Sequence, residues 1–105
     1  MVAIQRMAAS LILGLMSFNA NSVCVQNNNE LTGLVGLDGS NGLVYATTTS
    51  INNECACASV RFRPDNTDTD KALSILLSAK MANMKVRIDL LDENNCDSAY
   101  RVYIQ

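Results

Sequence analysis

Four cysteines in a chain of 105 residues constrain the fold more than any other feature of this sequence. They are Cys24, Cys55, Cys57 and Cys96. An even number of cysteines in a small exported protein is typical of a disulfide framework. A zinc site is the competing explanation, but zinc sites favour C-x2-C pairs and histidine, whereas this sequence has C-x-C and no histidine. We therefore predict two disulfides and no metal site.

The N-terminus indicates export. Arg6 is followed by an uncharged, mostly apolar run over residues 7–18 and then by small and polar residues, which is the pattern of a secretory signal peptide. The run is too short to cross a hydrocarbon core of about 30 Å as a permanent helix. Ala20 and Ser22 provide the small residues that a cleavage site needs. The sequence thus predicts a signal peptide over residues 1–22, no membrane attachment after cleavage, and a secreted or periplasmic protein.

Residues 23–105 are predicted to form one small domain. No internal repeat or low-complexity linker divides them. A single hydrophobic core is marginal at this size, so two disulfides worth about 2–4 kcal/mol each would matter. Cleavage would remove one of the eight basic residues and none of the ten acidic ones. The resulting acidic balance argues against binding to nucleic acid or to anionic membranes, because both need a basic surface.

Local patterns predict five strands and one helix. The predicted strands cover residues 31–38, 43–49, 55–63, 86–91 and 99–104. Residues 23–30 are polar and are interpreted as a lead-in tied down only by Cys24. The segment 65–70 offers several helix N-caps, and apolar residues then recur at helical spacing. Asn83 is expected to end the helix in a left-handed conformation.

The order β-β-β-α-β-β is that of the five-stranded OB barrel, so we predict a mainly β, disulfide-crosslinked, OB-like domain over residues 23–105. The third and fifth strands of such a barrel are parallel neighbours, which brings the four cysteines to one end. Alternation places Cys55, Cys57, Ser59, Arg61 and Arg63 on one face of the third strand and Ala56, Ala58, Val60 and Phe62 on the other. The two cysteines are too close in sequence to bond each other. One is expected to bond Cys24 and the other Cys96, and either assignment is open. The alternative fold is a sheet wrapped over one helix, as in cystatin-like domains.

A family resemblance adds to this interpretation. Residues 71–88 have the form "LL-x-A-K" followed by "V-R-I", and Cys96 and the ending Tyr-Arg-Val-Tyr-Ile at 100–104 follow. This pattern resembles small exported proteobacterial proteins of unknown function, which in turn resemble the B subunits of AB5 toxins of the subtilase-cytotoxin type. The resemblance implies an OB barrel and, for the toxin subunits, a pentamer that binds cell-surface glycans. No glycan-contacting residue of those subunits is matched to a position here.

The sequence offers little for catalysis. Without histidine, a nucleophile activated by a histidine base is excluded. Asp92, Glu93 and Asp97 share a predicted loop that could hold a hard cation such as Ca²⁺, although a solvated turn is the favoured interpretation. The C-x-C pair lacks the C-x-x-C geometry that activates a thiol. We therefore predict no enzymatic activity and no cofactor.

The exposed face of the second and third predicted strands is the region where OB barrels bind ligands. Its candidate residues are Tyr45, Thr47, Thr49, Asn52, Ser59, Arg61 and Arg63. Hydroxyl and amide groups suit sugars, but threonine-rich strands are also ordinary β structure. Arg61 and Arg63 could equally be solvated charges or pair with Asp89.

These features lead to one principal hypothesis and two alternatives. The principal hypothesis is a small secreted, non-enzymatic module that binds a glycan or a cell-surface protein and could assemble into a homo-oligomer. The first alternative is a secreted or periplasmic inhibitor that inserts loop 50–54 or loop 92–97 into a partner enzyme. The second alternative is a hydrolase that uses carboxylates.

Overall fold

A computed structural model describes residues 22–49 and 53–105. The predicted signal peptide, apart from Ser22, lies outside the described residues, and so does most of loop 50–54. The elements are β1 (Cys24–Asn29), β2 (Val35–Leu37), β3 (Val44–Thr47), β4 (Ser59–Phe62), α1 (Thr69–Met81), β5 (Val86–Leu90) and β6 (Ala99–Ile104). Within the described part of the chain, no helix combines the length and the apolar character that a membrane span requires.

The strands form one six-stranded sheet in the order β1-β5-β6-β4-β3-β2. All neighbours are antiparallel except β4 and β6, which run parallel and pair Phe62 with Ala99. Over the described residues, the structure therefore confirms a mainly β fold with one helix, and it confirms that the third and fifth predicted strands are parallel neighbours. The sheet is not closed, since its edge strands β1 and β2 are not paired with each other in the described residues. A closed barrel is thus not confirmed.

The interpretation of residues 23–30 as a lead-in was wrong, because most of this segment is strand β1. It pairs with β5 in the register Cys24↔Leu90 and Gln26↔Ile88. Gln26 and Asn29 are buried although they are polar. Their side chains find hydrogen-bond partners inside the protein, which removes most of the cost of burying them.

The third predicted strand begins later than expected. Regular pairing starts at Ser59, and residues 55–58 precede it as irregular structure. Cys55 and Cys57 are fully buried, whereas Arg61 faces the surface. The prediction that these cysteines share the face of Arg61 was therefore wrong. Their disulfides draw them into the core before the regular alternation of β4 begins.

The cysteines form the two expected disulfides, and the structure decides between the two assignments. Cys24 is bonded to Cys55 and Cys57 to Cys96, with Cα–Cα separations of 5.7 and 5.8 Å. Both separations lie within the usual range for a disulfide. Two disulfides are typical of proteins from oxidising compartments, and secretion itself stays a prediction.

The helix has the boundaries that its caps predict. The Asp68 side chain accepts a hydrogen bond from the Lys71 N–H at 3.2 Å and so caps the N-terminus. At the other end, Asn83 adopts a left-handed conformation with φ of 57°, and the Met84 N–H donates to the Ala79 carbonyl at 2.9 Å. This is the Schellman arrangement, and it confirms the predicted role of Asn83.

Two glycines, one before β2 and one within it, are expected to respond differently to an added methyl group. A Cβ on Gly33 would lie 2.0 Å from Thr47 Oγ1 and 2.9 Å from Thr47 Cβ, whereas a Cβ on Gly36 would meet no atom within 4 Å. We expect Gly33→Ala to lower the free energy of unfolding by about 1–3 kcal/mol through overpacking. Gly36→Ala should change it by less than about 0.5 kcal/mol. Urea denaturation of both variants checks this, and equal stabilities would contradict the close approach at Gly33.

Candidate functional site

The candidate site is the outer surface of β3 and β4, called here the binding face and consisting of Tyr45, Thr47, Ser59 and Arg61. Strand register places Tyr45 opposite Arg61 and Thr47 opposite Ser59. All four side chains are half-buried, while the alternate positions of both strands are fully buried in the core. The structure thus brings together four of the seven residues that the sequence suggested.

Arg61 is the centre of this face because it contacts three other elements. Its Nε donates to Asp38 Oδ2, in the loop after β2, and its Nη1 donates to Asp97 Oδ1 at 3.1 Å, in the loop before β6. Its guanidinium lies over the Tyr45 ring, 5.1 Å from the centroid. The hydrogen bond to Asp38, followed by that to Asp97, raises the pKa of Arg61 above its ordinary value. Arg61 therefore ties the β2–β3 loop to the β5–β6 loop, and the expectation that it pairs with Asp89 was wrong.

The remaining candidates lie away from the centre of the binding face. Arg63 is exposed and approaches Asp97 Oδ2 at 3.7 Å. Thr49 lies beyond the end of β3, where its hydroxyl accepts a hydrogen bond from the Glu30 N–H at 2.8 Å. Asn52 lies outside the described residues.

A groove of about 400 Å³ borders the binding face. It is lined by Leu34, Val35, Gly36, Leu37, Asp38, Tyr45 and Arg61. Gly36 pairs with Tyr45 across the strands and leaves the groove open because it has no side chain. Leu34 and Leu37 are 72% and 64% exposed.

The sequence-based prediction missed this apolar rim. A signal was available in the spacing of the two leucines: residues three apart on a strand point to opposite faces, so Leu34 and Leu37 could not both face the core. Asp38 and Asp97 were also missed as partners of Arg61. Only the strand order brings their loops together, since they are far apart along the chain.

The carboxylates of loop 92–97 have different partners. Asp92 Oδ1 accepts a hydrogen bond from the Asn94 N–H at 2.9 Å, and Asp97 is bonded to Arg61. Among residues 22–49 and 53–105, no group of three or more histidine, cysteine, aspartate or glutamate residues could hold a metal ion.

Comparison of the chain with protein-family models, with curated proteins and with solved structures gives no match. The resemblance to toxin B subunits therefore stays a prediction. What the binding face can do follows from its own geometry: it offers an ordered arginine, an aromatic ring and an apolar rim around one groove.

Proposed function

We propose that this protein is a small exported, non-enzymatic binding module of the OB type, and that it takes a protein ligand on the binding face. The observation that carries this proposal is the open groove between Gly36 and Tyr45 with the exposed leucines Leu34 and Leu37 at its rim. Three further features support the proposal: the strand connections, the hydrogen-bonded loops and the composition of the rim.

The strand connections support an OB-type fold. The OB fold is a partly open five-stranded barrel. The edge strands β1 and β2 are consecutive, and a link from Asn29 to Val35 spans at most about 21 Å. The edges of a flat six-stranded sheet would lie about 24 Å apart, so the sheet must curl. Lys80 holds the link against the helix, since its Nζ donates to the carbonyls of Leu31 and Gly33 at 2.8 and 2.7 Å.

The loops support a preorganised site. Ligands of OB folds contact the second and third strands together with the loops after the first and fourth. If β2 is taken as the first OB strand, the corresponding parts here are β3, β4 and the loops that carry Asp38 and Asp97. Because Arg61 is hydrogen-bonded to both carboxylates, less conformational entropy is lost when a ligand binds.

The composition of the binding face favours a protein ligand over a sugar ligand. Tyrosine and arginine are enriched among the residues that dominate protein–protein affinity, and here they adjoin two exposed leucines. A sugar ring would stack on a bare aromatic face, but the Tyr45 ring is covered by the Arg61 guanidinium. An exposed apolar patch that adjoins charged residues, as here Asp38 and Arg61, is a typical mark of a protein contact.

Filling the groove is expected to weaken binding without disturbing the fold. Gly36→Leu places a side chain in space that no atom occupies within 4 Å of the Cβ position. We expect at least about a tenfold loss of affinity, equivalent to about 1.4 kcal/mol, with an unchanged thermal midpoint. The measurement is saturable binding of fluorescently labelled mature protein to a panel of cells, with Gly36→Ala as the matched control.

Pretreating the cells identifies the ligand class. Protease treatment should remove the binding, and glycosidase treatment should leave it. Loss of binding with glycosidase alone would replace the protein ligand by a glycan. Saturable binding that Gly36→Leu leaves intact would remove the groove from the proposal.

A specific observation also favours the inhibitor hypothesis as a second candidate. Loop 92–97 is rigid, since Ser98 Oγ accepts from the Asp92 N–H at 3.0 Å and donates to the Asn95 carbonyl at 2.6 Å. Glu93 and Asn94 remain exposed on it. A preorganised, exposed loop suits insertion into an enzyme cleft. This candidate would be favoured by a stoichiometric complex in which the protein inhibits an enzyme. The affinity of that complex should be the same for the Gly36→Leu variant.

A further inference from the structure

The outer surface of β5 and β6 carries a second polar cluster, separate from the binding face. It is called here the Arg–Tyr cluster and consists of Arg87, Asp89, Tyr100, Arg101 and Tyr103. Strand register places Arg87 opposite Tyr103 and Asp89 opposite Arg101. Two of the three tyrosines of the chain and two of its arginines therefore meet on one part of the sheet.

A buried carboxylate orients the first arginine of the cluster. Asp89 is only 2% exposed, and it accepts hydrogen bonds from Arg87 Nε at 2.9 Å and Arg87 Nη2 at 3.0 Å. This bidentate contact, the strongest geometry for an arginine–carboxylate pair, raises the pKa of Arg87. The Tyr103 ring lies against the same guanidinium at 5.1 Å from its centroid. Arg87 is therefore held in place, although its side chain is 38% exposed.

The second arginine aligns the two tyrosine hydroxyl groups. Arg101 Nη2 donates to the Tyr100 hydroxyl oxygen at 2.8 Å, and Arg101 Nη1 donates to that of Tyr103 at 3.5 Å. Its guanidinium also lies 4.7 Å from the centroid of the Tyr100 ring. The hydrogen bonds to Tyr103 and Tyr100 raise the pKa of Arg101.

These contacts leave some hydrogen-bond donors of the cluster unused. A guanidinium has donors only, so each tyrosine oxygen acts as the acceptor and its own O–H proton is left for another partner. Arg87 retains N–H groups that Asp89 does not use, because a guanidinium carries five. The Arg–Tyr cluster thus presents phenol O–H and guanidinium N–H groups side by side.

The charges of the cluster define its ligand. Arg87 and Arg101 carry one positive charge each and Asp89 one negative charge, so the cluster has a net charge of one positive unit. We propose that the Arg–Tyr cluster is a binding site for a monoanionic oxyanion, namely a carboxylate or a sulfate ester group. Such a group accepts several hydrogen bonds at once and neutralises the excess charge. The group could belong to a free small molecule or to a polymer, and this site is independent of the binding face.

Titrations with acetate and methyl sulfate, followed by NMR of the arginine Nε–H and tyrosine ring signals, test the proposal. We expect saturable shifts at Arg101 and Tyr103 that sodium chloride at equal ionic strength does not produce. Losing both hydroxyl groups in the double variant Tyr100→Phe/Tyr103→Phe should weaken binding by about fivefold or more. The control is Ser78→Ala, which removes an exposed hydroxyl on α1, outside the cluster and the binding face, and should leave the affinity unchanged.

A second variant separates the site from an effect on folding. Arg101→Gln removes a positive charge but leaves the two short hydrogen bonds between Arg87 and Asp89 intact, and it too should weaken binding. Tighter binding of dextran sulfate than of methyl sulfate would identify a polymer as the source of the group, and equal binding would identify a small molecule. Shifts that chloride reproduces, or wild-type affinity in the folded double variant, would overturn the proposal.

Discussion

Removing the Cys57–Cys96 disulfide is expected to cost the protein a large part of its stability. This disulfide closes a loop with a sequence separation of 39, for which chain entropy predicts about 4 kcal/mol. Domains of this size have about 4–12 kcal/mol in total. We expect the double variant Cys57→Ala/Cys96→Ala to show this loss in urea denaturation, with the midpoint moved to much lower urea.

The other disulfide provides the comparison. Cys24–Cys55 has a sequence separation of 31, so the same calculation gives a similar loss of about 4 kcal/mol. All four cysteines are in disulfides. Reduction of both disulfides would remove both contributions to stability, so it should unfold the protein. The prediction fails if mass spectrometry of native protein finds four free thiols, or if the reduced protein keeps its urea midpoint.

The second large effect is expected at a buried glutamine. Gln26 is fully buried. Its Nε2 donates to Asn29 Oδ1 at 2.6 Å, to Thr48 Oγ1 at 3.1 Å and to the Cys57 carbonyl at 3.1 Å. Its Oε1 accepts from the Cys57 N–H at 3.1 Å. This one side chain therefore joins β1 to the irregular segment before β4.

Gln26→Met keeps a similar shape and removes all these hydrogen bonds. The Cys57 N–H and the Asn29 side chain then lose a partner in the core, and each such group costs about 1–3 kcal/mol. We expect a loss of about 3–5 kcal/mol in the free energy of unfolding, measured by urea denaturation.

A glutamine at the surface supplies the matched control. Gln105 is exposed and its Oε1 accepts from the Asn28 N–H at 2.8 Å. Gln105→Met makes the same chemical change where water can replace the lost hydrogen bond, so it should cost less than about 0.5 kcal/mol. Similar losses for the two variants would show that the network around Gln26 contributes little.

Features with local causes were predicted correctly from the sequence. Segment 65–70 was expected to supply the helix N-cap, which the structure places at Asp68, and Asn83 was expected to end the helix. Both caps depend on side chains and backbone angles within one turn. Alternation in β4 placed Arg61 on the surface and Phe62 in the core for the same reason. The binding face was accessible to this reasoning because antiparallel neighbours bring alternate side chains together.

Features with distant causes were not predicted. Strand β1 has the polar sequence CVQNNN, and nothing local marks it as a strand. It becomes one because β5 pairs with it and because buried acceptors satisfy Gln26 and Asn29. The partners of Arg61 belong to the same class, since only the strand order decides which loops meet.

The amino-acid sequence alone therefore determined the mainly β composition, the position of the helix and the presence of two disulfides, because periodicity, capping and cysteine count act over short distances. The tertiary structure alone decided which cysteines bond, that a polar segment becomes the edge strand, and which carboxylates hold Arg61. Those outcomes depend on hydrogen bonds and ion pairs between residues far apart in the chain, whose energies exist only once the sheet has brought them together.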